Sequence, residues 1–209
     1  MKSSFRGEVR SIQPRIRLMR SYDQRQHNYL GYAVTLRGTV DGEDRTFSAG
    51  IGPGAQVKLA LRAGDVLEGE AEPVADQRLE PVELYKAAKL KLLARTDPAP
   101  VAPPPPWRSV PPPLDTYRAR GHRRLDENAY AGEVCGSCIW GCRMPVEITL
   151  DPWKPSVREH RFETFCYGPK SCPAYAAGPV RTVPGRNNVV WTEEDTVDAQ
   201  ATAHRQEDE

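Results

Sequence analysis

Hydrophobic and polar residues alternate along most of the first 96 residues, and this pattern is typical of half-buried β-strands. The alternation is clearest in residues 8–21 and 29–38, where the apolar positions include Ile16, Leu18, Leu30, Tyr32, Val34 and Leu36. Asp41-Gly42 follows the second strand and favours a tight hairpin turn into a third strand.

A short helix and two further strands are predicted after this meander. Residues 55–62 have the spacing of a two-turn helix. Residues 64–74 and 82–93 are strand candidates, although the second segment fits a helix equally well. The predicted order of three strands, a helix and two strands resembles that of an oligonucleotide- and oligosaccharide-binding (OB) barrel. That resemblance implies a small, partly open five-stranded barrel over residues 1–96, with ligands on one face and its loops.

A second β region is predicted over residues 128–192. Residues 144–150 alternate apolar Val146 and Ile148 with polar Glu147 and Thr149. Residues 158–166 bring a second strand back after the turn-rich residues 151–156. We therefore expect a β-hairpin here and a mainly β protein of two modules.

The segment between these modules has the composition of a spacer. Residues 97–114 contain nine of the chain's 20 prolines, and proline fixes φ and removes a backbone donor. We expect a Pro-rich and basic linker over residues 97–127. Residues 193–209 are strongly acidic, which predicts a disordered tail.

Overall composition limits the possible compartments and partners. The chain has 209 residues, 39% of them apolar, with 29 Lys and Arg against 28 Asp and Glu, so bulk attraction to a polyanion is not implied. The first residues lack the apolar core of a signal peptide, and no stretch has the length of a membrane span. We expect a cytoplasmic protein without membrane contact, in which thiols stay reduced and clustered cysteines favour metal over disulfides.

All five cysteines lie in two short groups, residues 135–142 and 166–172. Cys135 and Cys138 are separated by two residues, while Cys166 and Cys172 enclose a Gly-Pro turn. The predicted hairpin would bring both pairs to one point, an arrangement that resembles a zinc ribbon. The 27 residues between the pairs exceed the usual spacing of about 15–20, and the second pair is more widely spaced than usual. We predict a structural zinc ion bound by Cys135, Cys138, Cys166 and Cys172.

Cys142 leaves an alternative open. Cys135, Cys138 and Cys142 also form a three-cysteine run whose fourth ligand would come from the second group, similar in outline to a 4Fe-4S cluster site. Four thiolates suit either zinc or such a cluster. The role of Cys142 stays undecided at this point, and buried or redox-active thiols without metal are a third possibility.

Basic and aromatic side chains are interleaved in the first strand and the loop after it. Phosphates pair with arginine and bases stack on aromatic rings, so this pattern favours single-stranded nucleic acid. The alternative is a solvated strand face with the tyrosines in the core. The candidate contact residues are Arg15, Arg17, Arg20, Tyr22, Arg25 and Tyr32.

Together these patterns predict a metal-binding accessory protein that is associated with nucleic acid or with a nucleic-acid-processing complex. Walker, dinucleotide, Gly-x-Ser-x-Gly and His-Glu-x-x-His motifs are absent from the sequence, and we assign no catalytic residue. Two alternatives remain, an iron-sulfur redox or sensor protein and a scaffold that recruits partners through its Pro-rich segment.

Overall fold

The computed structural model describes residues 2–97, 105–193 and 196–207. The first half contains five strands, which follow the chain in the predicted order. They are β1 (Ser3–Arg20), β2 (Arg25–Val40), β3 (Glu43–Ile51), β4 (Val66–Pro73) and β5 (Leu84–Ala94), with helix α1 (Pro53–Leu59) between β3 and β4. The segment 82–93, which fitted a strand or a helix, is thus a strand.

These five strands close into a ring. β1 pairs with β2, β2 with β3, β3 with β5, β5 with β4, and β4 again with β1. The β3–β5 contact is a single parallel pair, Ala49 with Leu84, so the ring is weakest there. Asp41 and Gly42 have φ of 51° and 90°, as a two-residue type I′ hairpin turn requires.

Alternation places one face of each strand inside the ring. Val9 of β1, Leu36 of β2, Phe47 of β3 and Leu67 of β4 are all buried in one core. Burial of such side chains contributes about 1.5–3 kcal/mol each relative to exposure. The ring therefore owes its stability mainly to its own apolar side chains.

The second half continues the same sheet. Its predicted hairpin consists of β7 (Gly141–Thr149) and β8 (Arg158–Cys166), and the two-residue strand β6 (Arg123–Arg124) pairs with β8. β7 runs parallel to the end of β1, where Leu18–Arg20 pair with Val146–Ile148. One eight-stranded mixed sheet therefore runs through both halves, which the sequence pattern predicted as two modules.

The predicted linker is partly folded. Residues 98–104 of the Pro-rich stretch lie outside the described residues. Beyond them, helix α2 (Leu114–Arg120) packs against the sheet, and its buried Tyr117 donates a hydrogen bond from Oη to the Ile139 carbonyl at 2.8 Å. Two short helices, α3 (Glu127–Ala131) and α4 (Glu133–Ser137), then lead into β7.

The acidic C-terminal segment differs from the disordered tail that its composition predicts. After the separate hairpin of β9 (Arg181–Pro184) and β10 (Val190–Glu193), helix α5 (Thr196–Thr202) lies against β6. Asp198 of α5 accepts hydrogen bonds at 3.0 Å from both the backbone and the side chain of the buried Arg124. The composition did not reveal this partner because Arg124 lies 74 positions earlier in the chain.

None of the helices in the described residues combines the length and the hydrophobicity needed to cross a lipid bilayer.

Candidate metal centre

The first cysteine pair lies on a tight backbone turn at the entrance to β7. Cys135 is on α4, and Cys138 follows that helix in an extended conformation, with its N–H donating to the Cys135 carbonyl at 3.3 Å. Both cysteines are buried. A Cβ at Gly141 would come within 2.4 Å of the Cys135 carbonyl oxygen, so only glycine lets the turn close this tightly.

Gln13 of β1 holds this turn from the ring side. Its Nε2 donates to the carbonyls of Cys135 at 3.1 Å and Cys138 at 2.9 Å. Its Oε1 accepts a hydrogen bond from Tyr130 Oη at 2.6 Å. The buried amide thus fixes the backbone on both sides of Gly136 and Ser137. Sequence analysis missed this residue, although a glutamine beside apolar strand positions is the signal that could have revealed it.

The second cysteine pair begins where β8 ends. Cys166 is the last residue of β8, and the Cys172 N–H donates to the Pro169 carbonyl at 3.2 Å, which closes the loop between them. Arg123 of β6 donates to the carbonyls of Pro169 at 2.9 Å and Lys170 at 3.2 Å. Its guanidinium also stacks on the Tyr175 ring at 3.8 Å. The second loop is therefore clamped by a residue from the predicted linker.

Four cysteines from the two loops line one cavity. The cavity has a volume of about 10 Å³ and is walled mainly by apolar and aromatic side chains, among them Trp107, Trp140 and Tyr175. Its thiols belong to Cys135, Cys138, Cys166 and Cys172, the four residues that the sequence analysis assigned to zinc. We call the two loops around it, residues 133–142 and 166–175, the cysteine region.

Backbone amides point at two of these sulfurs. The N–H of Trp140 donates to Cys138 Sγ at 3.5 Å, and the N–H of Gly168 donates to Cys166 Sγ at 3.4 Å. In each loop the donor is two residues after the cysteine. Hydrogen bonds of this kind stabilise a negatively charged sulfur, the form in which cysteine binds a metal.

Burial opposes that charge in the absence of a cation. Burial, together with the neighbouring Cys166 and Cys172, raises the pKa of Cys135 to about 11. Burial also raises the pKa of Cys138 to about 11, although the backbone N–H groups of Trp140 and Trp107 act in the opposite direction. Four thiolates held close together repel one another, which disfavours their charged form. A bound divalent cation would instead stabilise that form.

Cys142 lies apart from the other four. In the β7–β8 register Gly141 faces Cys166 and Cys142 faces Phe165, so the side chains of Cys142 and Cys166 lie on opposite faces of the hairpin. Cys142 Sγ is fully buried and contacts the Pro14 carbonyl oxygen at 3.4 Å. The structure thus separates Cys142 from the cysteines that it would have to join in a three-ligand run.

The four cysteines line one cavity, but their side chains are not arranged as a complete coordination shell. Across residues 2–97, 105–193 and 196–207, no group of three or more His, Cys, Asp or Glu side chains is arranged to hold a metal ion. The metal is therefore a hypothesis that depends on the donor set, the shared cavity and the amides directed at sulfur.

The predicted nucleic-acid face is largely occupied by contacts within the protein. Arg15 and Arg17 each form an ion pair with the buried Glu80 at 3.1 Å. Tyr32 is buried, and its Oη donates to the Pro112 carbonyl at 2.8 Å. These three side chains therefore face protein groups, although the strand alternation placed both arginines on an outer surface.

The remaining three candidate residues lie where β1 turns into β2. Arg20 is 4% exposed and lies over the Trp191 ring at 5.7 Å. Tyr22 and Arg25 are exposed at the turn. Of the six predicted contact residues, only these two are exposed, and Tyr22 is 48% exposed.

Comparison of the chain with family models, curated proteins and solved structures finds no match.

Proposed function

We propose that Cys135, Cys138, Cys166 and Cys172 bind one structural zinc ion. The observation that carries this proposal is that four cysteines from two loops 27 residues apart in sequence line a single cavity. Four thiolates match the tetrahedral coordination that zinc adopts in structural sites. The N–H groups of Trp140 and Gly168 add the outer hydrogen bonds that such sulfurs usually receive.

The size of the cavity favours zinc over a cluster. A volume of about 10 Å³ corresponds to roughly one water-sized sphere. A single ion fits that space, whereas a 4Fe-4S cluster places four irons and four sulfides inside the same ring of cysteines. A cluster would need more space than this volume, and it is the alternative that the experiment below tests.

The proposed role of the ion is to hold the cysteine region together. The apolar cluster there is small, with Leu125, Cys135 and Cys166 as its buried members. A cluster this small adds little stability of its own, and a bound metal ion would contribute its binding free energy to folding. Zinc would join the entrance of β7 to the end of β8 and so fix the hairpin on β1.

Elemental analysis and an optical spectrum of protein purified without air test this proposal. We expect one zinc per chain in a colourless protein. A brown protein with iron and sulfide would establish the cluster instead, and protein that contains neither metal and binds neither on reconstitution would refute the site.

The wider function that we propose is that of an accessory protein associated with single-stranded nucleic acid. The ring order β1-β2-β3-β5-β4, with a helix between β3 and β4, supports an OB-like barrel, a fold that commonly binds oligonucleotides. The exposed Tyr22 and Arg25 add an aromatic ring and a cation beside that ring of strands. Binding of a labelled single-stranded oligonucleotide that weakens steeply with salt would support this function. Absence of binding at low salt would contradict it.

A further inference from the structure

Three hairpin turns meet at one end of the molecule. Because β1 and β7 run parallel over Leu18–Arg20 and Val146–Ile148, the turns that follow them emerge at the same edge of the sheet. The β9–β10 turn lies beside both, since Arg186 Nε is 3.7 Å from Asp151 Oδ2 and a Cβ at Gly185 would lie 3.4 Å from Tyr22 Cβ. Between the first and third hairpins is a cavity of about 310 Å³.

Large apolar side chains at these turns are open to solvent. Trp153 is 81% exposed and Tyr22 is 48% exposed. Val189 and Val190 of the third hairpin are also exposed. Single exposed hydrophobic residues are common, but adjoining turns that carry a tryptophan, a tyrosine and two valines form a patch of the kind found at interaction sites. Trp153 in particular adds almost nothing to the core.

The same turns carry an excess of positive charge. Residues 20–25, 150–158 and 185–191 contain five basic and two acidic side chains; the basic ones are Arg20, Arg25, Lys154, Arg158 and Arg186, and the acidic ones are Asp23 and Asp151. The whole chain, in contrast, has a formal net charge of only +1. Arg20 is buried and Arg158 pairs with Glu147 at 2.6 Å. Apart from Arg158, the exposed cations of these turns are therefore Arg25, Lys154 and Arg186, of which Arg186 lies 3.7 Å from Asp151.

We propose that Tyr22, Arg25, Trp153, Lys154 and Arg186 form a binding surface for single-stranded nucleic acid, which we call the hairpin-tip surface. This inference rests on the nucleic-acid association proposed above and specifies its location. Rings such as Trp153 stack on unpaired bases, while Lys154 and Arg186 pair with phosphates. Two of its three turns belong to the β7–β8 and β9–β10 hairpins, which lie outside the five-stranded ring. We place the contact here and not on the strand face predicted from the sequence, because Arg15 and Arg17 on that face are ion-paired with Glu80.

Fluorescence anisotropy with a labelled oligothymidylate, measured over a series of salt concentrations, tests the hairpin-tip surface. Trp153→Ala should weaken binding by about 5- to 150-fold, since loss of one stacked base costs about 1–3 kcal/mol. Trp153→Phe keeps a ring and should retain most of the affinity. Lys154→Ala should lower the slope of log affinity against log salt by about 1.

Lys91→Ala provides the matched charge control. Lys91 is exposed on β5, where it pairs with Glu68, and its loss should leave the affinity within about twofold because it lies outside the proposed contact. Since Trp153 and Lys154 are exposed, their variants should unfold at the wild-type temperature, which a thermal scan checks.

The outcomes separate this inference from the function on which it rests. If the wild-type protein binds and Trp153→Ala binds equally well, the hairpin-tip surface is wrong and the nucleic-acid function stands. If the wild-type protein fails to bind at low salt, both are wrong. Self-association that disappears in Trp153→Ala, without oligonucleotide binding, would identify the surface as an interface between copies of the chain and would also overturn the inference.

Discussion

The five-stranded ring and the cysteine region are stabilised in different ways. The ring buries apolar side chains from all five strands in one core, including Val9, Leu36, Phe47, Leu67 and Leu84. The cysteine region packs into the same core through Cys142 and Tyr167, and the separate cluster beside it has only three buried members, Leu125, Cys135 and Cys166. The first region thus has a large apolar core, whereas the proposed zinc ion would link the two loops of the second. On this proposal, one sheet combines a part that folds through its core with a part that folds around a metal ion.

β1 connects these two regions. Its first residues pair with β4 in the ring, and its last residues, Leu18–Arg20, pair with Val146–Ile148 of β7. Between these segments Gln13 reaches the carbonyls of Cys135 and Cys138. A structural change in the cysteine region should therefore alter β1 more than it alters the other strands of the ring.

The largest effect is expected from loss of a proposed ligand. Cys166→Ser should abolish zinc binding, because hydroxyl oxygen is a poor substitute for thiolate. Apparent binding free energies of structural zinc are about 10–16 kcal/mol and contribute directly to folding. We expect near-zero zinc content and early melting of the cysteine region. Zinc content and thermal unfolding measure this, and wild-type values for both would exclude Cys166 as a ligand.

A matching substitution in the ring should lower stability without changing zinc binding. Leu36→Ala removes a fully buried side chain and should lower the free energy of unfolding by about 2–5 kcal/mol. Zinc content of the folded fraction should stay at the wild-type level, since Leu36 lies in the core and not at the cavity. Urea titration with zinc analysis checks this. Loss of zinc from the folded fraction would show that the regions are not separable.

Gln13→Ala tests the connection between the regions. It leaves the Cys135 and Cys138 carbonyls and the Tyr130 hydroxyl without their partner, which should cost about 1–3 kcal/mol. Part of this loss should appear as weaker zinc affinity, measured by competition with a chromophoric chelator.

Gln56→Ala is the control for that variant. Gln56 is also buried, but it donates to the Leu61 carbonyl beside α1, inside the ring region. It should lower stability without changing zinc affinity. Equal zinc affinity in both variants would contradict the positioning role of Gln13.

The smallest effect is expected for Cys142→Ala. Cys142 lies in the main core and contacts the Pro14 carbonyl, so its loss should cost about 1 kcal/mol and leave one zinc per chain. Metal analysis and urea titration measure both quantities. If the variant loses its metal, Cys142 is a ligand and the four-cysteine site is wrong.

Sequence pattern predicted the features that depend on neighbouring residues. The alternation in β1 and β2, the Asp41-Gly42 turn and the β7–β8 hairpin all follow from local side-chain spacing. The same pattern gave the order of the strands and the grouping of the cysteines. These features need no knowledge of distant contacts.

The rest depends on pairings between residues far apart in the chain. Gln13 meets Cys135 across 122 positions, and Arg15 meets Glu80 across 65. Alternation could place Arg15 on an outer face but could not supply the carboxylate that meets it there. For the same reason the composition of the last residues suggested a free tail, although Asp198 binds Arg124.

Amide hydrogen exchange in metal-loaded and chelator-treated protein tests the central claim most directly. We expect that removal of metal greatly reduces protection in residues 133–142 and 166–175, while amides of β2, β3 and β4 exchange at unchanged rates. Identical exchange in the two samples would contradict it, because the cysteine region would then hold its structure without a metal.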